Sequence, residues 1–183
     1  MEKLCKDKKF HIAKKFTDTH RFLDDINPKN NHSYFSNYKD FIYSPGLVIN
    51  KENEGTTQTS ILEIDMSIDQ QSKTFTTNLF DKRDSFNFDI IKYPSLNSNI
   101  HSKVVYNIFV SQIIRYSRVC NKLHYFLIAL KKLVKNMIAK GCKRSRLFKL
   151  LYKTLLKKEI LTKYDISLDI INTHYIINTY INS

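Results

Sequence analysis

Two apolar periods divide this sequence, and together with a shift in charge they predict an α+β fold. Between Leu62 and Ile68 apolar and polar side chains alternate, placing Leu62, Ile64, Met66 and Ile68 on one face and Glu63, Asp65 and Ser67 on the other, which is the period of a strand. From Ser102 onward apolar residues recur at steps of three and four, the period of a helix. The charge shifts with the period. From Ile90 to Lys158 there are sixteen Lys and Arg and no Asp or Glu, in a chain whose formal charge is +13, so this segment carries all of the net positive charge.

Composition sets the outer bounds. A length of 183 residues suits one ordinary domain or two small subdomains sharing a core. With 42% hydrophobic and 13% aromatic residues a folded core is expected. The longest apolar run is only Tyr125 to Leu130, and the N-terminus carries Lys3, Lys6, Lys8 and Lys9 with no apolar region. Neither a spanning helix nor a secretory signal is expected, and the expected location is intracellular, cytoplasmic or nuclear. Cys5, Cys120 and Cys142 are odd in number and widely spaced, so reduced thiols are expected. The six histidines are scattered without metal-ligand spacing, and Gly46, Gly55 and Gly141 do not make a phosphate-cradling loop, so P-loop and dinucleotide enzymes are excluded.

In chain order, residues 1 to 15 read as a leader and Phe16 to Leu23 as a strand that ends in Asp24 and Asp25. Asn27 to Asn31, with Pro28, reads as a turn. Tyr34, Phe35, Tyr38, Phe41 and Ile42 are spaced as on an amphipathic helix from His32 to Ile42; Leu47 to Ile49 suggests a short strand, and Glu52 to Thr59 a polar loop. Thr74 to Phe80 pairs naturally with the alternating segment as an antiparallel hairpin. Asp81 to Asn99 is irregular, Asp81 to Asp84 reads as an ion-paired turn, and the stretch from Asp89 to Ser102 is the favoured boundary, with residues 90 to 101 as linker.

Beyond it, Val105, Ile108, Phe109, Ile113 and Tyr116 form one helical stripe with Ser102 as N-cap. Phe126, Leu130, Leu133, Val134, Met137 and Ile138 form a second, stopped by Gly141. A third helix is expected from Ser145 to Leu161 on Leu147, Leu151 and Leu155. Such stripes need partners, so residues 102 to 161 should pack as a small bundle, leaving a tail from 162 to 183 that reads equally as helix or strand.

The bundle is also the candidate nucleic-acid surface. Arg146, Lys149, Lys153 and Lys157 recur at steps of three or four opposite the leucines, and Arg115, Arg118 and Lys122 do the same on the first helix. Such faces can track a phosphate backbone without reading bases. The rival readings are a solvated face, an anionic membrane surface, and a helix-turn-helix-like module with Lys140 to Ser145 as its turn.

The candidate catalytic residues are Asp24 and Asp25 in the string RFLDD. Adjacent carboxylates after an apolar run can hold a metal ion, but two-metal nucleotidyl transfer needs carboxylates from two separate strands. After RFLDD come FIY at Phe41 to Tyr43, SILEIDMSI from Ser60, LFDKRDSFNF from Leu79, YPSLNSNI from Tyr93 and SQIIRYSRVC from Ser111. In this order they resemble the C-terminal part of reverse transcriptases from animal retroelements, over roughly Phe16 to Lys158. There the aspartate motif is usually Tyr-Ile-Asp-Asp after an Arg, and Phe22 stands here for the Tyr, Ser85 for an Asp, His101 for a Pro and Asn107 for a Gly.

The resemblance implies a partial polymerase palm over residues 16 to 89 followed by the basic helical bundle in the thumb position. It matches Asp24 to the Mg2+-binding aspartate and Asp25 to its neighbour, with Arg21 and Phe22 on the strand leading in. Lys82, Arg83, Phe86 and Phe88 match the element after the hairpin, and Arg115 and Arg118 the helix near template and primer. The family's other catalytic aspartate and its fingers lie upstream of this motif. The expectation is therefore a truncated reverse transcriptase-like protein that binds RNA, DNA or an RNA-DNA hybrid without synthesis and does not hold Mg2+ stably alone.

Overall fold

The computed structural model describes residue 6 and residues 10–16, 19–22, 25–28, 32–44, 46–49, 56–88 and 90–165. Helix and antiparallel sheet are mixed, in two compact units, Met1–Gly55 and Thr56–Ser183.

In the first unit, helix α1 (Phe10–Ala13) runs into a 3-10 turn at Lys14–Phe16. The stretch read as a leader thus contains ordered helix. Its reason is apolar: Ile12, Ala13 and Phe16 are buried and pack with Phe35, Tyr38, Phe41 and Ile42 of helix α2 (His32–Ile42), whose bounds match the sequence reading. Phe16 consequently belongs to the helical turn and not to a strand. Strand β1 (Thr19–Phe22) pairs antiparallel with β2 (Asp25–Pro28), in a register that sets Arg21 opposite Ile26 and Phe22 opposite Asp25. The expected turn at Asn27 and Pro28 is therefore strand, with Pro28 as its last residue, a position where a missing N–H is tolerated. Leu47 to Ile49 forms no strand.

The second unit begins with a three-stranded antiparallel sheet, β3 (Gln58–Ile61), β4 (Ile64–Asp69) and β5 (Thr74–Leu79), in that order. The hairpin of β4 and β5 was legible from its alternation. The polar loop expected from Glu52 to Thr59 ends instead in β3, which takes up Gln58 and Thr59; Leu62, at φ 56°, turns the chain sharply from β3 into β4. The alternation does not produce a buried face, since Leu62 and Ile68 are exposed while Ile64 and Met66 are only half-buried.

Four helices follow: α3 (Ser102–Val119), α4 (Leu123–Ala139), α5 (Arg144–Leu155) and α6 (Lys158–Tyr164). α3 packs against α4, α5 and β5. The predicted stripes are the core, with Val105, Phe109, Ile113, Phe126, Leu130, Val134, Met137, Leu147 and Leu151 fully buried. Ile138 is exposed, and the N-cap of α3 is His101, whose Nδ1 accepts from the Lys103 N–H, in place of Ser102. Gly141, at φ 87°, ends α4 as expected. The third helix does not run on to Leu161. Ile160 lies nine residues beyond Leu151, which on a continuous helix is about 180° around the axis. The break at Leu156 and Lys157 turns Ile160 back into the core and brings the Tyr164 ring onto Phe126, 5.0 Å between centroids.

Asn121 ties the sheet to the helices within the unit Thr56–Ser183. Asn121, in the α3–α4 connection, donates its backbone N–H to Thr77 O and its Nδ2 to Phe75 O, and accepts the Thr77 N–H on Oδ1. Thr77 Oγ1 also donates to Val119 O at 2.6 Å. The outer edge of β5 is thereby capped as if by another strand. Asn121→Ala leaves the Thr77 N–H without its acceptor and should cost about 1–3 kcal/mol, because an orphaned backbone donor is expensive. Urea unfolding should show this loss, with faster amide exchange at Thr77; unchanged stability would mean that the edge is held by other contacts.

Candidate nucleic-acid interface

The basic face is built from the first turn of α5. The Tyr106 hydroxyl, reaching from α3, accepts the Lys143 N–H at 3.1 Å, a donor that the α5 N-terminus otherwise leaves without a side-chain cap. The same ring lies under the Arg146 guanidinium, 4.1 Å from centroid to Cζ, and Arg144 lies over Phe148 at 5.3 Å. A guanidinium held by its flat face keeps its in-plane N–H donors available for a phosphate.

Lys149 and Lys153 follow on the same exposed side, with Leu147, Leu151 and Leu155 buried opposite. At about 100° per residue, Lys149, Lys153 and Arg146 span an arc of about 60°. Lys157 is exposed too, but it is the N-cap of α6 and not part of the α5 row. Among the described residues Arg146, Lys149, Lys153 and Lys157 make no salt bridge.

The other predicted cations are placed differently. Arg115 pairs with Glu63 of the β3–β4 turn. Arg118 is exposed in the last turn of α3, whereas Lys122 lies beyond the end of that helix at the N-cap of α4, so the three do not form a row on one helix. Arg83 is held in a two-pronged pair with Asp81, Nε to Oδ1 at 2.6 Å and Nη2 to Oδ2 at 2.7 Å, and Lys92 adds a contact at 2.9 Å. The ion-paired turn expected at Asp81 to Asp84 is thus present as the 3-10 turn Lys82–Ser85. Lys82 is exposed within it, and Phe86 and Phe88 are exposed and set ring to ring at 5.5 Å.

Of the candidate catalytic pair, Asp24 lies outside the described residues, and Asp25 opens β2. No group of three or more His, Cys, Asp or Glu able to hold a metal occurs among the described residues. Cys120 and Cys142 are free and buried, and burial pushes both thiols up, as expected for unreactive cysteines.

Sequence reasoning missed a cleft of about 310 Å³ between the end of β5, the 3-10 turn, α3 and α4. Ion pairs of Glu63 with Arg115, Asp81 with Lys92 and Asp84 with Lys132 line it. Tyr93 and Tyr116 meet beneath, hydroxyl to hydroxyl at 2.9 Å, both pushed up by burial. The Asp81 string was visible; its partners in α3 and α4 required the fold. No helix of the described residues is long and apolar enough to cross a membrane. Comparisons with protein-family models, with curated proteins and with solved structures find no match.

The cleft has a pH signature. The Arg83 hydrogen bond, and then Lys92, hold the Asp81 carboxyl far below the usual carboxylate range. A depressed folded-state pKa contributes stability that is present above the unfolded-state pKa and lost as pH falls through the folded one. Asp81→Asn should therefore cost about 1.5–3 kcal/mol at neutral pH, the range of a hydrogen bond to a charged group, and flatten the decline of stability in acid. Denaturant unfolding across the acidic range checks both; parallel pH curves for the two proteins would exclude Asp81 as the source.

Proposed function

We propose that this chain binds nucleic acid through the phosphate backbone, using the outward faces of its basic helices, and that it is a reverse transcriptase-like protein with these helices in the thumb position. The observation that carries the binding is the row on α5: Arg146 seated over Tyr106, then Lys149 and Lys153, with no acid in the helix and the leucines turned away. Phosphates release condensed counterions when such cations approach, which gives affinity without base readout. An RNA-DNA hybrid is an acceptable ligand, because backbone contacts need no particular groove.

The reverse-transcriptase part of the reading rests on the ordered strings from RFLDD to SQIIRYSRVC. It is supported by the antiparallel pairing of β1 with β2, which sets Phe22 opposite Asp25. In the family Asp24 would be the Mg2+-holding residue. A helix-turn-helix module is the alternative favoured by one feature, the four-residue connection from Lys140 to Cys142 and Lys143 that links α4 to α5. That module would read bases, whereas the backbone-tracking face would not.

Replacing Arg146, Lys149, Lys153 and Lys157 together by Gln keeps helix propensity and most of the side-chain length. For B-DNA each lost phosphate contact should reduce the slope of log affinity against log salt by roughly 0.9, with little dependence on base sequence. Titrations at several salt concentrations, with circular dichroism to establish folding, decide it: unchanged affinity and slope in the folded variant refute the interface, and strong sequence preference favours the helix-turn-helix reading.

A separate expectation concerns synthesis. Transfer through two metals needs carboxylates from two strands, and the residues matched here supply only Asp24 and its neighbour Asp25. Primer extension on an RNA template with magnesium or manganese should give no incorporation by the isolated chain. Template-dependent incorporation that disappears in Asp24→Asn would overturn this.

A further inference from the structure

The outward face of α5 is cationic, and it is also aromatic. Tyr152 is 42% exposed and Leu156 is 37% exposed, on the side away from the buried Leu147, Leu151 and Thr154. Tyr152 follows Lys149 by three residues, about 60° around the helix, and directly precedes Lys153. The other rings nearby already serve cations, Tyr106 under Arg146 and Phe148 under Arg144. Tyr152 has no ring or cation partner among the described residues. The exposed Tyr152 flanks the row of Lys149 and Lys153, which carry no carboxylate partner among the described residues.

We propose that this face is a platform for single-stranded nucleic acid, in which Lys149 and Lys153 follow the phosphates and a base stacks on the Tyr152 ring. It rests on the nucleic-acid reading above and names the form of the ligand. Phosphate contacts alone do not distinguish one strand from two. An aromatic surface does, because unpaired bases offer open faces while those of a duplex are stacked on one another. An anionic membrane is the rival for a face with cations and exposed apolar groups. A helix lying in a membrane turns its apolar stripe to the lipid, whereas the leucine stripe of α5 is inside the core and leaves only Tyr152 and Leu156 outside.

The test uses the full chain and two variants, Tyr152→Leu and Tyr152→Trp, with circular dichroism to verify folding. The probes are an oligothymidylate, a mixed-sequence duplex and phosphatidylserine vesicles. Tyr152→Leu should lose affinity for oligothymidylate by roughly five- to a hundredfold, the range for one stacked base, and keep its duplex affinity and its salt slope. Tyr152→Trp should retain the oligothymidylate affinity. Because the chain contains no Trp, the new indole reports directly, and oligothymidylate should quench it while duplex leaves it unchanged. Equal loss on strand and duplex, no loss on oligothymidylate, or an indole that responds only to vesicles would each overturn the platform. If the Gln-substituted α5 row loses binding while both Tyr152 variants behave as the parent, this inference fails alone; a parent chain that binds neither nucleic acid removes both readings.

Discussion

Burial of α3 is the constraint from which the second unit is built. Val105, Phe109 and Ile113 have no exposed surface, and a helix can be covered so completely only if neighbours close on it from several directions. α4 and α5 supply two of them and β5 a third. At the C-terminal end α6 adds polar closure, where Lys163 donates to the Ser117 and Arg118 carbonyls and the Tyr164 hydroxyl to those of Ser117 and Cys120. These carbonyls are among those that a helix end leaves without intrahelical partners, so a positive group and a hydroxyl there answer both the hydrogen-bonding deficit and the dipole.

The sheet depends on the same end of the same helix. Val119 O and Asn121 take the outer edge of β5, and a three-stranded sheet with little buried area of its own gains its second face from helices already packed. The arrangement also makes the cleft, because holding β5 at the α3–α4 junction brings the Asp81 turn beside Arg115 and Lys132. Arg115 and Lys132, beside the sheet and the Asp81 turn, are engaged in ion pairs, whereas Lys149 and Lys153 on the outer side of α5 make no salt bridge among the described residues.

Much of the helical core was legible because its signal is local and repeated. The stripes of Val105, Phe109 and Ile113 and of Leu147, Leu151 and Leu155 each recur over several turns, and α2 could be bounded by its aromatics. The end of α5 was legible in principle, since Ile160 is out of phase with Leu151, but apolar composition concealed the phase. What sequence could not show was long-range. Asn121 looks like any loop residue until Thr77 is beside it, and nothing marks Glu63 as the partner that removes Arg115 from the basic face. The roles of Asp24 and Asp25 rest on the sequence resemblance, Asp24 lying outside the described residues and Asp25 contributing only its place at the start of β2.

The helix termini explain why the uncovered charge is unusual. Lys122, Lys143 and Lys157 stand at the N-caps of α4, α5 and α6, none with a side-chain cap, and the first turns of α3, α4 and α5 contain no acid. A cation at the positive end of a helix dipole is unfavourable by about 0.3–1 kcal/mol, and Ser, Thr, Asp or Asn would satisfy the free N–H groups there. Stability by itself would favour those residues. The same cations become favourable when a polyanion approaches, so the electrostatic strain of the free chain and the proposed attraction for phosphate have one origin.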